Sequence, residues 1–294
     1  MNKKLFFLLL CGGIFFQLSA QRIEVGEPQL VREAGTEAFH PRFTPDGTTI
    51  LLTSASYSGL RAINLETRQL REITRLHRAG WNPVISADSR TVYFQTEDLT
   101  ERGIRNARFY SHNLETRQTR QVTAFSNEAA QSSENTLRSR STAQTPTVVF
   151  VNQDLQIVVE RNGVQRTLTP LGTDVQYIWA SLSPDGTRIS FYSMATGEVF
   201  ISDLDGNVLA NLGALDAPVW LNNDWVVGMN EVNDGRNITA ANIVAVTSNG
   251  RVRQNLTQLD QRIAMFPAAS PDGRRIAFHT LEGNLYLMEV SIHD

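Results

Sequence analysis

The chain has 294 residues, of which 41% are hydrophobic and 19% charged, with a formal net charge of −3. Its only cysteine, Cys11, and its only lysines, Lys3 and Lys4, sit near the start, so from residue 21 onward disulfides, thiolate or Cys-ligated metal chemistry, Schiff bases and phosphate-loop lysines are all excluded. That part carries 25 arginines against 30 acids, a net charge of −5 with the signs interspersed, which offers no basic face to a nucleic acid.

Residues 1–20 read as a targeting signal. Lys3 and Lys4 give a positive start, Leu5 to Phe16 is apolar, and Leu18-Ser19-Ala20 offers a small residue for cleavage before Gln21. The apolar run is too short for a transmembrane segment. Around Cys11 the preceding Leu8-Leu9-Leu10 lacks the small residues of a lipidation site, so cleavage and export to the periplasm or beyond is the reading.

Ile23-Glu24-Val25 and Gln29-Leu30-Val31-Arg32 follow, strand-like and with no repeat of their own. Then a phrase begins to recur. The first unit has Phe43-Thr44-Pro45-Asp46-Gly47, a β-rich run Thr49-Ile50-Leu51-Leu52, and a closing Ile73-Thr74. The second has a worn copy, Ile85-Ser86-Ala87-Asp88-Ser89, then Thr91-Val92-Tyr93-Phe94 and a closing Val122-Thr123. An insertion, Asp98 to Arg108, lengthens a hairpin of this unit. Both units repeat six letters identically, Asn64-Leu65-Glu66-Thr67-Arg68-Gln69 and Asn113-Leu114-Glu115-Thr116-Arg117-Gln118.

In the third unit an irregular polar stretch, Ser126 to Thr145, stands in place of the phrase, and Leu168-Thr169 closes it. The fourth returns to Leu182-Ser183-Pro184-Asp185-Gly186 and Arg188-Ile189-Ser190-Phe191, closing at Leu212-Gly213; the fifth closes at Leu256-Thr257. The sixth has Ala269-Ser270-Pro271-Asp272-Gly273 and Arg275-Ile276-Ala277-Phe278, and the chain ends before its closure.

Steps of 49, 46, 44 and 44 residues between closures define six units. In each phrase proline presets φ, aspartate bonds to the backbone ahead, and glycine takes the left-handed exit. Asn162-Gly163, Asp205-Gly206, Asn249-Gly250 and Glu282-Gly283-Asn284 supply further hairpin signals. Four short strands fill a repeat of about 45 residues, the size of a propeller blade. The expected fold is all-β: a six-bladed β-propeller of four-stranded antiparallel blades, one domain over residues 21–294. The N-terminal strand near Leu30 completes the last blade, which removes the exposed sheet edges.

The phrases Ser183-Pro184-Asp185-Gly186-Thr187-Arg188-Ile189 and Ser270-Pro271-Asp272-Gly273-Arg274-Arg275-Ile276-Ala277-Phe278, with Asn284-Leu285-Tyr286-Leu287, resemble the TolB-like (WD40-like) family of propeller repeats. The resemblance covers essentially all of residues 21–294. It implies a binding surface at the channel mouth, used in that family to receive an envelope lipoprotein. This sequence has no room before the first unit for the separate α/β domain of the family's periplasmic members, so the role carried by that domain is not implied.

Chemistry is sparse. There is no Gly-x-Ser-x-Gly elbow, and Ser56-Tyr57-Ser58-Gly59 reads as an ordinary loop. The histidines His40, His77, His112, His279 and His293 form no pair spaced for a metal, and neither a metal nor a cofactor is implied. His279 reads as core or rim. Asp203-Leu204-Asp205-Gly206-Asn207 and Asn233-Asp234-Gly235 read as hairpin turns rather than calcium loops.

Aromatic residues lie just upstream of, or inside, the inner strand of several units. The candidate channel-mouth binding residues are Phe39, His40, Arg42, Trp81, Asn82, Tyr177, Trp179, Trp220 and Phe266, with packing between blades as the competing role for Trp179 and Trp220. Strand alternation limits which of them can face the channel together. The functional expectation is a monomeric, non-catalytic, secreted or periplasmic propeller that binds an envelope protein or peptide through its channel face or loops. The alternative is a polysaccharide lyase or hydrolase using His40 and channel carboxylates, and a third reading is a sensor for a small ligand.

Overall fold

The structure is a computed structural model that describes residues 21–33, 38–99, 105–122, 147–152, 154–258 and 262–293. All its regular elements are strands. The first blade is β3 (Phe39–Phe43), β4 (Thr49–Thr53), β5 (Leu60–Asn64) and β6 (Leu70–Thr74), hydrogen-bonded in that order. The second is β7 (Val84–Ile85), β8 (Thr91–Leu99), β9 (Arg105–Asn113) and β10 (Thr119–Val122). The expected long hairpin is present, with the β8–β9 ladder running out to Leu99 opposite Arg105.

The third blade shows three described strands, β11 (Val148–Val151), β12 (Ile157–Arg161) and β13 (Val164–Leu168). The stretch Ser126 to Thr145 lies outside the described residues, as do residues 1–20. The fourth blade is β14 (Tyr177–Leu182), β15 (Arg188–Ser193), β16 (Glu198–Asp203) and β17 (Val208–Gly213). The fifth is β18 (Asp216–Trp220), β19 (Trp225–Asn233), β20 (Ile238–Thr247) and β21 (Arg253–Asn255).

The sixth blade is β22 (Ala264–Ala269), β23 (Arg275–Thr280) and β24 (Leu285–His293), and the chain start completes it. Both β1 (Arg22–Val25) and β2 (Gln29–Arg32) pair antiparallel with β24: Arg22 opposite His293, Val25 opposite Val290 and Gln29 opposite Leu287. Between them Gly26 still donates to the Glu289 carbonyl at 2.9 Å. The two ends of the chain therefore share one sheet, and the ring closes as a six-bladed propeller.

The recurring phrase builds the turn between the first two strands of a blade. Thr44, Ser86 and Ser183 each donate a hydroxyl hydrogen bond to Asp46, Asp88 and Asp185 at 2.6 Å, and Ser270 does the same to Asp272. Gly47, Gly186 and Gly273 leave the turn at φ 70°, 72° and 70°, and Ser89 of the worn copy takes the same conformation at φ 62°. These turns also tie neighbouring blades together. The Asp46 amide donates to Ser89 Oγ and the Asp185 amide to Asn223 Oδ1, each at 2.9 Å.

Apolar clusters fill the wedges between blades. Trp225, Val227, Ile243, Ile276, Phe278 and the N-terminal Ile23 join the fifth and sixth, while Phe43, Ile50 and Ile63 meet Ala268 and Ala277 across the closure. Burial at about 25 cal/mol per Å² of apolar surface makes these wedges the main stabilising term. The inner strands, with the turns described above at one end, present their starts at the other.

Candidate functional site at the channel mouth

At or just before the start of five inner strands the described residues carry the same local irregularity. His40, Asn82, Trp179, Ala217 and Phe266 have φ of 51°, 50°, 52°, 47° and 49°, the left-handed region that non-glycine residues seldom enter. The ladders of β3, β14, β18 and β22 shift register at that point. Proline follows in four of the five: Pro41, Pro218 and Pro267 at a bulge and Pro83 just before its strand, where the missing N–H costs the ladder nothing. Residues ahead of proline favour extended backbone, so the left-handed value is held by its surroundings.

Three adjacent blades bring these residues into one aromatic run. Phe266 meets the edge of His40 at 4.6 Å between centroids, and His40 stacks on Tyr57 at 4.1 Å with planes 17° apart. Tyr57 in turn meets Trp81 edge-on at 4.8 Å, and the Arg78 guanidinium lies 5.2 Å over the Trp81 ring. Phe39 packs on His279 at 4.9 Å, which also stacks parallel to Phe266 at 5.4 Å. Phe266, His40 and Tyr57 are half-buried and Trp81 is 43% exposed, so the run opens to solvent at Trp81.

Arg42 braces the run from below. It donates to the Pro83 carbonyl at 2.9 Å and approaches Asn82 Oδ1 at 3.4 Å, linking the first blade to the second. A small cavity of about 50 Å³ opens among His40, Arg42, Tyr57, Gly80, Asn82 and Pro83.

Burial sets the protonation of the imidazoles. Desolvation lowers the His40 pKa to about 4, with Arg42 acting in the same direction against a hydrogen bond to the Ala55 carbonyl. Desolvation also lowers His279 to about 4. His279 is only 2% exposed; its Nδ1 lies 2.9 Å from the Thr280 carbonyl and its Nε2 is buried without a protein partner. Both rings are neutral at pH 7. Burial raises the Tyr57 hydroxyl above its usual pKa, so it too stays uncharged.

Among the sequence candidates, Phe39, His40, Arg42, Trp81, Asn82 and Phe266 come together. Trp179 is 40% exposed but stands apart, its ring against Tyr192 at 5.1 Å. Near it burial raises the Asp216 carboxyl pKa, with Glu231 adding to the shift. Tyr177 and Trp220 are not at the mouth. Tyr177 is fully buried, with its hydroxyl between the Leu171 amide and the Gly172 carbonyl. Trp220 is 2% exposed and donates its indole N–H to the Ser181 carbonyl of the neighbouring blade at 3.2 Å.

Tyr57, read from the sequence as part of an ordinary loop, belongs to the group, and so does His279, which lies in the core as its second-strand position suggested. The loop holding Tyr57 joins β4 to β5, at the end where β3 begins; that topology was the available signal. The acidic turns behave as turns: Asp203 accepts from the Asp205 and Asn207 amides, and Asp234 from those of Arg236 and Asn237. Among the described residues no three His, Cys, Asp or Glu side chains converge as a metal site, and no helix is long and apolar enough to cross a membrane.

Planar rings, a braced guanidinium and two neutral imidazoles suit the binding of a partner's apolar or uncharged polar group. No protein-family model and no curated protein matches the chain in sequence. Solved structures do match. TolB from Acinetobacter baumannii superposes with a TM-score of 0.54 at 21% identity, over 78% of this chain and 56% of that one, so the chain spans just over half its length. The putative TolB from Agrobacterium tumefaciens gives 0.56 at 16% identity, over 93% of this chain and 98% of that one. An oligogalacturonate lyase in complex with manganese is more distant, at a TM-score of 0.47 and 14% identity over 89% of this chain and 79% of the other. At these identities the likeness is one of fold, and the fold is that of a TolB-like six-bladed β-propeller.

Proposed function

We propose that the protein is a secreted or periplasmic, non-catalytic propeller that binds another envelope protein, or a peptide from one, at the channel mouth. The observation that carries this reading is the continuous run Phe266–His40–Tyr57–Trp81, half-buried along its length and open at Trp81. Such an arrangement of rigid aromatics with an arginine is the composition of binding hot spots. Its left-handed inner-strand positions hold backbone strain where the run needs it, as functional sites commonly do. Export rests on the signal-like residues 1–20. The TolB-like fold is consistent with protein binding and does not name the partner, for which a lipoprotein of the envelope is the first choice to test.

The test is retention of a native-envelope protein on the immobilised chain. Trp81→Ala and Phe266→Ala, each confirmed folded by circular dichroism, should lose it. Undiminished retention by both would reject the mouth as the contact.

A second reading, a polysaccharide-active lyase or hydrolase, has one observation in its favour: neutral His40 lines one cavity with Tyr57 and Arg42, in the protonation state a general base requires. Release of new reducing or unsaturated ends from envelope polysaccharide, abolished by His40→Ala, would establish it in place of the first.

A further inference from the structure

A second, larger cavity lies away from the mouth, on the outer part of the wedge between the first and second blades. It has a volume of about 410 Å³, within the range of small-molecule sites. Its frame is the pair of identical hexapeptides. Asn64 Oδ1 accepts from the Glu66 and Thr67 amides, and Asn113 Oδ1 from those of Glu115 and Thr116, so the two turns are built alike and face one groove.

What differs is the residue just before each turn. In the first blade it is Ile63, packed in the apolar wedge against the sixth blade. In the fifth blade the equivalent residue, Val246, packs against the fourth. In the second blade it is His112, 6% exposed, with Nδ1 at 2.8 Å from Thr119 Oγ1. Where the first and fifth blades fill this position with an aliphatic, the second places an imidazole, and the groove beside it is walled with polar groups.

Three charged side chains line it: Arg71, Arg117 and Glu72. Glu72 is engaged by Arg75 at 2.8 Å and by the buried Arg61 at 3.9 Å. Arg71 gives Nε and Nη2 to the neutral Gln69 Oε1, at 3.2 and 3.0 Å, which fixes the guanidinium without neutralising it. Arg117, held at φ 62°, makes no side-chain hydrogen bond or ion pair among the described residues. The wall therefore has two uncompensated cations with Thr49, Asn64, Gln69 and Thr119 around them.

We propose that this groove is a binding site for a small hydroxylated organic carboxylate. Guanidinium forks match a planar carboxylate in two parallel hydrogen bonds. The surrounding amides and hydroxyls suit a ligand with several hydroxyl groups. Glu72 in the same wall disfavours a dianion, which separates a singly charged carboxylate from phosphate. The site is independent of the channel mouth.

The test uses the folded chain from residue 21 labelled with 15N-arginine, following side-chain Nε–H signals by NMR at low salt. Gluconate should shift the Arg71 and Arg117 signals saturably, with affinity reduced about tenfold or more in Arg117→Gln. Sorbitol, which keeps the hydroxyls without the carboxylate, should not shift them, and inorganic phosphate should bind more weakly than gluconate. Trp81→Ala should leave the titration unchanged. No saturable shift with gluconate, an equal response to sorbitol, phosphate binding as tightly as gluconate, or unaltered affinity in a folded Arg117→Gln protein would each overturn the proposal.

Discussion

Arg188 of the fourth blade lies with its guanidinium carbon 5.5 Å from the centroid of Trp220 in the fifth, while donating to Ser248 Oγ at 2.8 Å and to the Asn223 carbonyl. Arg275, two residues after the corresponding glycine, repeats this across the closure, 5.7 Å over Phe43 and 2.9 Å from the Gly47 carbonyl. The same phrase thus makes a turn within one blade and a strut to the next. Arg188→Ala should cost about 2 kcal/mol, since it removes a stacked cation and charge-assisted bonds. Arg188→Lys should recover less than half, because an ammonium lacks the planar fork. Urea unfolding of the three proteins measures this, and a lysine variant as stable as wild type would contradict it.

Gly80 sits under the mouth for a steric reason. A Cβ there would fall 1.9 Å from Thr53 Oγ1 and 2.4 Å from its Cβ. Gly80→Ala should therefore destabilise by about 2 kcal/mol or more and weaken partner binding by moving Trp81 and Asn82. Adding Thr53→Gly, which removes the Cβ as well as the hydroxyl, should restore part of both losses, and strict additivity of the two changes in urea unfolding would argue against the clash.

Two neutral imidazoles give the protein a defined acid sensitivity. His40 and His279 titrate at about 4 in the fold, below the ordinary 6.5. Between those values the unfolded chain binds protons that the native state refuses. Stability is therefore complete above about pH 6.5 and falls as the pH drops toward 4, by up to about 3 kcal/mol for His279 and less for the partly exposed His40. Burial lowers His112 in the same sense, whereas the raised Asp216 works in the opposite direction. Urea midpoints at pH 7.5 and 5.0 should separate in wild type and draw together in His279→Leu. An undiminished separation in that variant would contradict the assignment.

Ring closure rests on residues that the repeat itself does not contain. Ile23 is fully buried in the wedge between the fifth and sixth blades, and its amide donates to Gln254 Oε1 at 3.1 Å. Ile23→Ala should cost about 3 kcal/mol, a core-sized penalty for a residue in the second position of the first strand. Thermal unfolding reads this directly; a loss below about 1 kcal/mol would mean that the N-terminal strand is a minor contributor.

Much of this architecture was legible in the sequence because turn chemistry is local. Thr44 with Asp46, or Ser183 with Asp185, can be read from neighbours two residues apart. The closure of the ring followed from counting, and the pairing of Gln29 with Leu287 bears it out. The mouth was legible only in part. Alternation would place Tyr177 and Trp179 on one side of their strand, but the register shift between Ile178 and Ser181 breaks the parity, burying the first and exposing the second. Nothing in the spacing announces a left-handed residue before Pro41 or Pro83. Tyr57 was hidden because its partner, His40, belongs to a different strand; His279 is buried as read, but its stacking on Phe266 crosses a bulge in the opposing strand and could not be read.

The most direct test of the account is site-specific photocrosslinking in the native envelope. A benzophenone amino acid placed at Trp81 should capture a discrete partner, and the same probe at Leu209, exposed on the outer strand of the fourth blade, should not. Capture at Trp81 should vanish when Phe266→Ala is added. Equal capture at both positions, or none at Trp81 in a folded protein, would contradict binding at the channel mouth.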